Sequence, residues 1–135
     1  MASPVASPAK ACILLADDSQ LVRNAIKNLL ADLNPTWEIF EAENGADALE
    51  KTLALNPDVA MLGLNLPDIR GETLAQQIRQ LSPITKIVLC SLSDATVLAQ
   101  IALHAGADAF ISKTAPIEEF YATLTALIAA PSESR

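Results

Sequence analysis

The chain is poor in the residues that build metal clusters, disulfide frameworks and nucleic-acid grips. Of its 135 residues one is histidine and two are cysteine, and nine basic residues stand against sixteen acidic ones. The lone His104 has no partner at metal-ligand spacing and reads as a surface residue. Cys12 and Cys90 both fall in apolar runs and read as small buried hydrophobes. The net charge of -7 and a pI near 4.5 exclude a surface that holds a phosphate backbone, so no direct contact with nucleic acid is expected. No apolar run reaches membrane-spanning length. Residues 1–10, rich in Ala, Ser and Pro, lack the charged start and apolar stretch of a signal peptide. A cytoplasmic location with no membrane partner is the resulting expectation.

What is present is enough apolar material for one core: hydrophobic residues make up 51% of the chain and charged residues 19%. Residues 1–10 read as a flexible lead, 11–130 as the folded domain and 131–135 as a tail or the start of a linker. Short apolar runs at 11–16 (ACILLA), 59–64, 86–90 (KIVLC) and 109–112 (AFIS) have the length and character of strands buried on both faces. A more polar run at 37–42 suits an edge strand. Between them, apolar residues recur at helical spacing. The first helix carries Leu21, Val22, Ala25, Ile26, Leu29, Leu30 and Leu33, with Ser19 or Asp18 as cap and Asn34-Pro35 as stop. The second follows the Asn44-Gly45 turn with Ala46, Leu49, Leu53 and Leu55. The third spans 71–81 with Leu74, Ile78 and Leu81 inward. A fourth is expected from Ser93 or Asp94 through His104, with Gly106 as its cap. A fifth follows Pro116 with Ile117, Phe120, Leu124, Leu127 and Ile128.

Strict alternation of five strands with five helices predicts an α/β domain: a parallel, doubly wound, flavodoxin-like sheet of order 2-1-3-4-5. Cys12 and Cys90 then lie two strands apart, roughly 9–10 Å at the usual strand spacing, beyond disulfide reach. The carboxyl ends of strands one, three, four and five border one cleft, which gathers Asp17, Asp18, Gly63, Ser91 and Lys113. Paired carboxylates suit a hard cation such as Mg²⁺, and a lysine and a hydroxyl suit phosphoryl oxygens. The set lacks a nucleophile, because Gly63 has no side chain to supply one. Asp68 reads as a loop aspartate in solvent, and Glu118-Glu119 as charges suited to a helix start.

The motifs LLADDS, PDVAMLGLNLPDIRG, IVLCSLSD and GADAFISK in this order resemble the receiver domain of bacterial two-component response regulators over about residues 11–130. The run GADAFISKTAPIEEF is similar to receivers that precede helix-turn-helix output domains. The resemblance implies that Asp18 ligates Mg²⁺ directly, that Asp17 acts through water, and that the Asn65 backbone carbonyl is a further ligand. It implies a phosphate-pocket hydroxyl at Ser91, an aromatic switch at Phe110 and the pocket lysine at Lys113. Gly63 stands where such receivers carry the phospho-accepting aspartate, so Mg²⁺ binding is expected to be weak and aspartyl phosphorylation absent. Thr114 replaces the proline often found after the lysine.

The implied function is a non-enzymatic signalling module for transcription regulation, working by protein–protein contact. Its expected partners are a sensor histidine kinase or another signalling protein, a C-terminal DNA-binding output domain absent from this chain, and a second copy. The expected contact face is the fourth helix, fifth strand and fifth helix. One alternative is the input domain of a conventional phospho-activated transcription factor with a laboratory substitution at Gly63. A more remote one is a flavodoxin-like carrier or enzyme, but Asp17-Asp18-Ser19 puts carboxylates where such a protein cradles a nucleotide phosphate.

Overall fold

Aliphatic runs without polar interruption can be covered on both faces, and the sheet of this protein is built that way. The computed structural model describes residues 11–92, 100–101 and 106–130. Strands β1 (Cys12–Ala16), β2 (Glu38–Ala42), β3 (Val59–Gly63), β4 (Lys86–Ser91) and β5 (Ala109–Ser112) form one parallel sheet of order β2-β1-β3-β4-β5. The four described helices are α1 (Gln20–Leu33), α2 (Gly45–Leu55), α3 (Gly71–Leu81) and α4 (Ile117–Ala129). The helix expected before β5 lies almost wholly outside the described residues, as does His104; Gln100 and Ile101 are described and helical. The fifth expected helix is therefore α4.

Alternation along each strand divides the core into two layers. Leu14, Ala60, Leu62, Ile87 and Leu89 face α2 and α3, where Ala48, Leu74 and Ile78 meet them. Ile13, Leu15, Met61, Val88 and Ile111 face α1 and α4, where Ile26, Leu30, Phe120 and Leu124 meet them. The edge strand β2 is half-buried, as its polarity predicts. Trp37, just before it, is buried with its ring centroid 5.0 Å from that of Tyr121. Among the described residues the cysteines are free, with Cys12 and Cys90 separated by β3.

The helices correct the sequence reading in detail. Ser19 does cap α1, its hydroxyl accepting the Val22 N–H at 3.2 Å. The buried face of α1, however, is Arg23, Ile26 and Leu30. Leu21, Leu29 and Leu33 are exposed, at 80%, 46% and 45%. A helix this apolar carries two i, i+4 stripes, and only one can point at the sheet. In α2 the inward residues are Gly45, Ala48 and Thr52, while Ala46 and Leu53 are exposed. Leu81 at the end of α3 is also exposed. Gly106 takes a left-handed φ of 76°, the geometry of a helix-ending glycine.

Candidate functional site at the carboxyl end of the sheet

Parallel strands that stop together leave their next residues at a common rim. Asp17 follows β1, Gly63 ends β3, Ser91 ends β4 and Lys113 follows β5. The structure brings Asp18, Gly63, Asn65, Cys90, Ser91 and Lys113 to one cleft of about 430 Å³. Asp17 lies against it through Lys113. Its buried carboxylate receives the Lys113 ammonium at 2.5 Å on Oδ2, and its Oδ1 accepts the Ser19 N–H at 2.9 Å. Asp18 is exposed at the mouth. Ser91 is buried, and its carbonyl accepts the Lys113 N–H at 2.9 Å, which fixes the lysine backbone. Phe110 is half-buried against the α2–α3 layer of the core, opposite Leu89 in register.

Gly63 is where the cleft differs from the pattern the sequence suggests. A Cβ placed there would sit 3.1 Å from Asp17 Oδ2 and 3.5 Å from the Ala16 carbonyl. Its missing side chain therefore points at the Asp17–Lys113 pair. Cys90, its register partner on β4, lies beneath the gap. Burial pushes the Cys90 thiol up to about 12, Asp17 adds to the rise and Lys113 opposes it, so the group stays a thiol at neutral pH.

The loop after β3 is held from both sides. Gly71 presses against the Gly63 carbonyl and the Leu64 backbone so closely that a Cβ would lie 2.3 Å from the Gly63 oxygen. Only glycine closes the loop there. Asp68 is an exposed loop aspartate, as the sequence reading expects, but it is tethered. Its carboxylate accepts the Gly45 N–H at 2.7 Å and the Ala46 N–H at 3.0 Å, tying the loop to the first turn of α2. These backbone donors, Gly45 first, hold its carboxyl below the usual range.

Sequence reasoning also missed Arg23. Its guanidinium donates to the Asp17 carbonyl at 2.6 Å and to Glu41 Oε1 at 3.0 Å, and Lys27 reaches Glu41 Oε2 at 3.3 Å. Burial alone would raise the Glu41 carboxyl, but Arg23 and Lys27 outweigh it and hold it low. The signal was present in the spacing: Arg23 stands three residues before Ile26 and seven before Leu30, on the buried face.

The donor set as it stands is a poor fit to Mg²⁺. Both Asp17 oxygens are engaged, which leaves the Asp18 carboxylate and the Asn65 carbonyl. Among the described residues no three His, Cys, Asp or Glu side chains are grouped to hold a metal. A hard cation held by one carboxylate and one carbonyl lacks most of its oxygen shell.

The family model of the response regulator receiver domain matches residues 13–125. The chain belongs to the response regulator receiver family. This receiver is 35% identical over 101 residues to the chemotaxis protein CheY of Bacillus subtilis, covering 75% of the chain and 83% of that protein. It is 36% identical over 102 residues to a protein-glutamate methylesterase/protein-glutamine glutaminase of Vibrio cholerae, covering 75% of the chain but only 28% of that protein. The signal receiver domain of NarL from Mycobacterium tuberculosis superposes with a TM-score of 0.80 at 30% identity, covering 91% of the chain and all of that domain. The flavodoxin-like carrier weighed from the sequence shares this strand order, but the family is the receiver's. Among the described residues no helix is long and apolar enough to cross a membrane.

Proposed function

We propose that this receiver relays signals by protein–protein contact, without forming an aspartyl phosphate at the end of β3. The observation that carries the reading is the Lys113–Asp17 pair at 2.5 Å beside a glycine with no carboxylate to offer. In this reading Gly63 occupies the acceptor position, and Asp17, Asp18 and the Asn65 carbonyl are the remnant of a weakened Mg²⁺ site. Ser91, Phe110 and Lys113 are the pocket and switch residues. Partners are a sensor histidine kinase or another cytoplasmic signalling protein, and an output domain following residue 130 that binds DNA. The contact face for output is β5 and α4 with the stretch before β5, most of which lies outside the described residues.

A second reading has one observation in its favour. Gly63 has no left-handed φ, and the atom nearest an added Cβ is the movable Asp17 carboxylate. The backbone conformation does not demand glycine there, and an aspartate fits once the Asp17 carboxylate gives way slightly, as in a conventional acceptor altered by a laboratory substitution. Comparing wild type with Gly63→Asp separates the functions of the two chains. The variant is expected to gain Mg²⁺ affinity and to take up phosphoryl from acetyl phosphate, while wild type does neither. Tight, stoichiometric Mg²⁺ binding by wild type would contradict the proposal.

A further inference from the structure

We infer that Arg23 is the positioning residue of the ion pair at the carboxyl end of the sheet: it holds the main chain of Asp17 where the Asp17 carboxylate reaches across to Lys113. Asp17 is pinned at every polar atom. Its N–H donates to the Ala42 carbonyl at 3.1 Å, its Oδ1 accepts the Ser19 N–H at 2.9 Å and its Oδ2 meets the Lys113 ammonium at 2.5 Å. Its carbonyl accepts Arg23 Nη1 at 2.6 Å, a short, charge-assisted bond inside the core. The guanidinium suits this place because its rigid fork serves two acceptors at once. While Nη1 takes the Asp17 carbonyl, Nε takes Glu41 Oε1 at 3.0 Å.

Glu41 is itself fixed. Lys27 reaches its Oε2 at 3.3 Å, and its main-chain carbonyl accepts the Lys51 ammonium from α2. Arg23 is thus aimed from the edge strand β2. Packing alone does not call for an arginine here: it is buried beside Ile26 and Leu30, where an apolar side chain fills the space without the cost of burying charge. The charge is instead set against the main chain of the residue whose side chain crosses to Lys113. A Cβ at Gly63 would lie 3.1 Å from Asp17 Oδ2, so the side chain that would border this carboxylate from β3 is missing. Arg23 supplies the restraint from the opposite strand edge, and it sets whether the Lys113 ammonium stays on Asp17 or turns into the cleft. The inference rests on the reading of this pair as the centre of the site. Its test uses no phosphoryl donor, so the two can fail separately.

Acetylation of the folded whole chain with N-hydroxysuccinimidyl acetate, each lysine's rate read by peptide mass spectrometry, tests the role. In wild type Lys113 should react more slowly than the more exposed Lys27. Arg23→Met keeps an unbranched side chain and removes the donors; it should raise the Lys113 rate roughly tenfold. Lys86, at the amino end of β4, should react as before. Glu41→Gln leaves Arg23 its carbonyl bond but weakens its aim, and should raise the Lys113 rate about threefold. Arg23→Lys, which keeps a charged donor, should fall between Arg23→Met and wild type. Lys27→Met removes only an outer, exposed contact and should change the Lys113 rate by less than about twofold. Circular dichroism and Trp37 emission report the fold of each variant, and if Arg23→Met does not fold, Glu41→Gln and Arg23→Lys carry the comparison. A Lys113 rate that rises alone supports the proposal. A rate unchanged in the folded variants, or one that rises in step with Lys86, overturns it and leaves Arg23 a fastening of α1.

Discussion

At the amino end of the sheet, Ser82, Thr85 and Asn56 form a closed group of neutral polar side chains. The Thr85 hydroxyl donates to the Pro57 carbonyl at 2.7 Å and lies 2.7 Å from the Ser82 hydroxyl, which reaches Asn56 Oδ1 at 3.0 Å. Thr85 and Ser82 are both buried, and each oxygen is matched by a neighbour. At the carboxyl end, buried Asp17 is ion-paired with the half-buried Lys113, beside buried Ser91 and a cleft of about 430 Å³. One end spends its polar groups on fastening the strands. The other keeps charge and open space together, as a site rather than a fastening. The two ends share the same strands, so the difference lies in what the loop groups are turned to: below, Thr85, Asp58 and Asp108 hold main-chain groups, and above, Asp18 and Lys113 border open space.

The largest expected effect comes from Lys113→Met. It strands the buried Asp17 carboxylate, and urea unfolding should show a loss of about 3 kcal/mol at neutral pH. A loss near zero would mean that water already serves Asp17 and that the ends are alike. Next comes Thr85→Val, which takes the donor from the Pro57 carbonyl and leaves the Ser82 hydroxyl only Asn56 at the closed end. The same measurement should show a loss of about 2 kcal/mol, and combined with Gly63→Asp it should leave the Mg²⁺ affinity gained at the far end unchanged. A change in ion binding would couple the two ends and break the contrast.

The smallest effect concerns Asp68→Ala. The Asp68 carboxyl is held below its ordinary value in the folded state, so its contribution is present above the unfolded carboxylate pKa and is lost as pH falls through the folded pKa. The melting temperature of the variant should lie slightly below that of wild type at neutral pH, and the two should converge in acid. Parallel curves down to acid pH would show that the loop is held to α2 by other means.

The strand order and the convergence on one cleft were legible because each buried strand is an uninterrupted aliphatic run, and parallel pairing leaves its carboxyl end at one rim. The reading of Gly63 as the acceptor position came instead from the resemblance of the motifs, since the apolar run itself continues through Leu64. Helix faces were less legible. Spacing alone counts Leu21 and Leu29 with Ile26 and Leu30, and only the packing against β1 and α4 decides which stripe turns inward. Arg23 was overlooked although its spacing places it on the buried face, and the bonds of Asp68 were missed because its partners are the N–H groups of Gly45 and Ala46, main-chain groups with no sequence signature. Which Asp17 oxygen meets Lys113 is likewise set by the Ser19 N–H taking the other.

Intact-protein mass spectrometry after incubating the wild-type chain with acetyl phosphate and excess Mg²⁺ tests the central claim most directly. The expected spectrum holds only the unmodified mass, because the end of β3 offers no carboxylate and Lys113 is occupied by Asp17. A species carrying one added phosphoryl group, mapped to Asp17 or Asp18, would contradict the account.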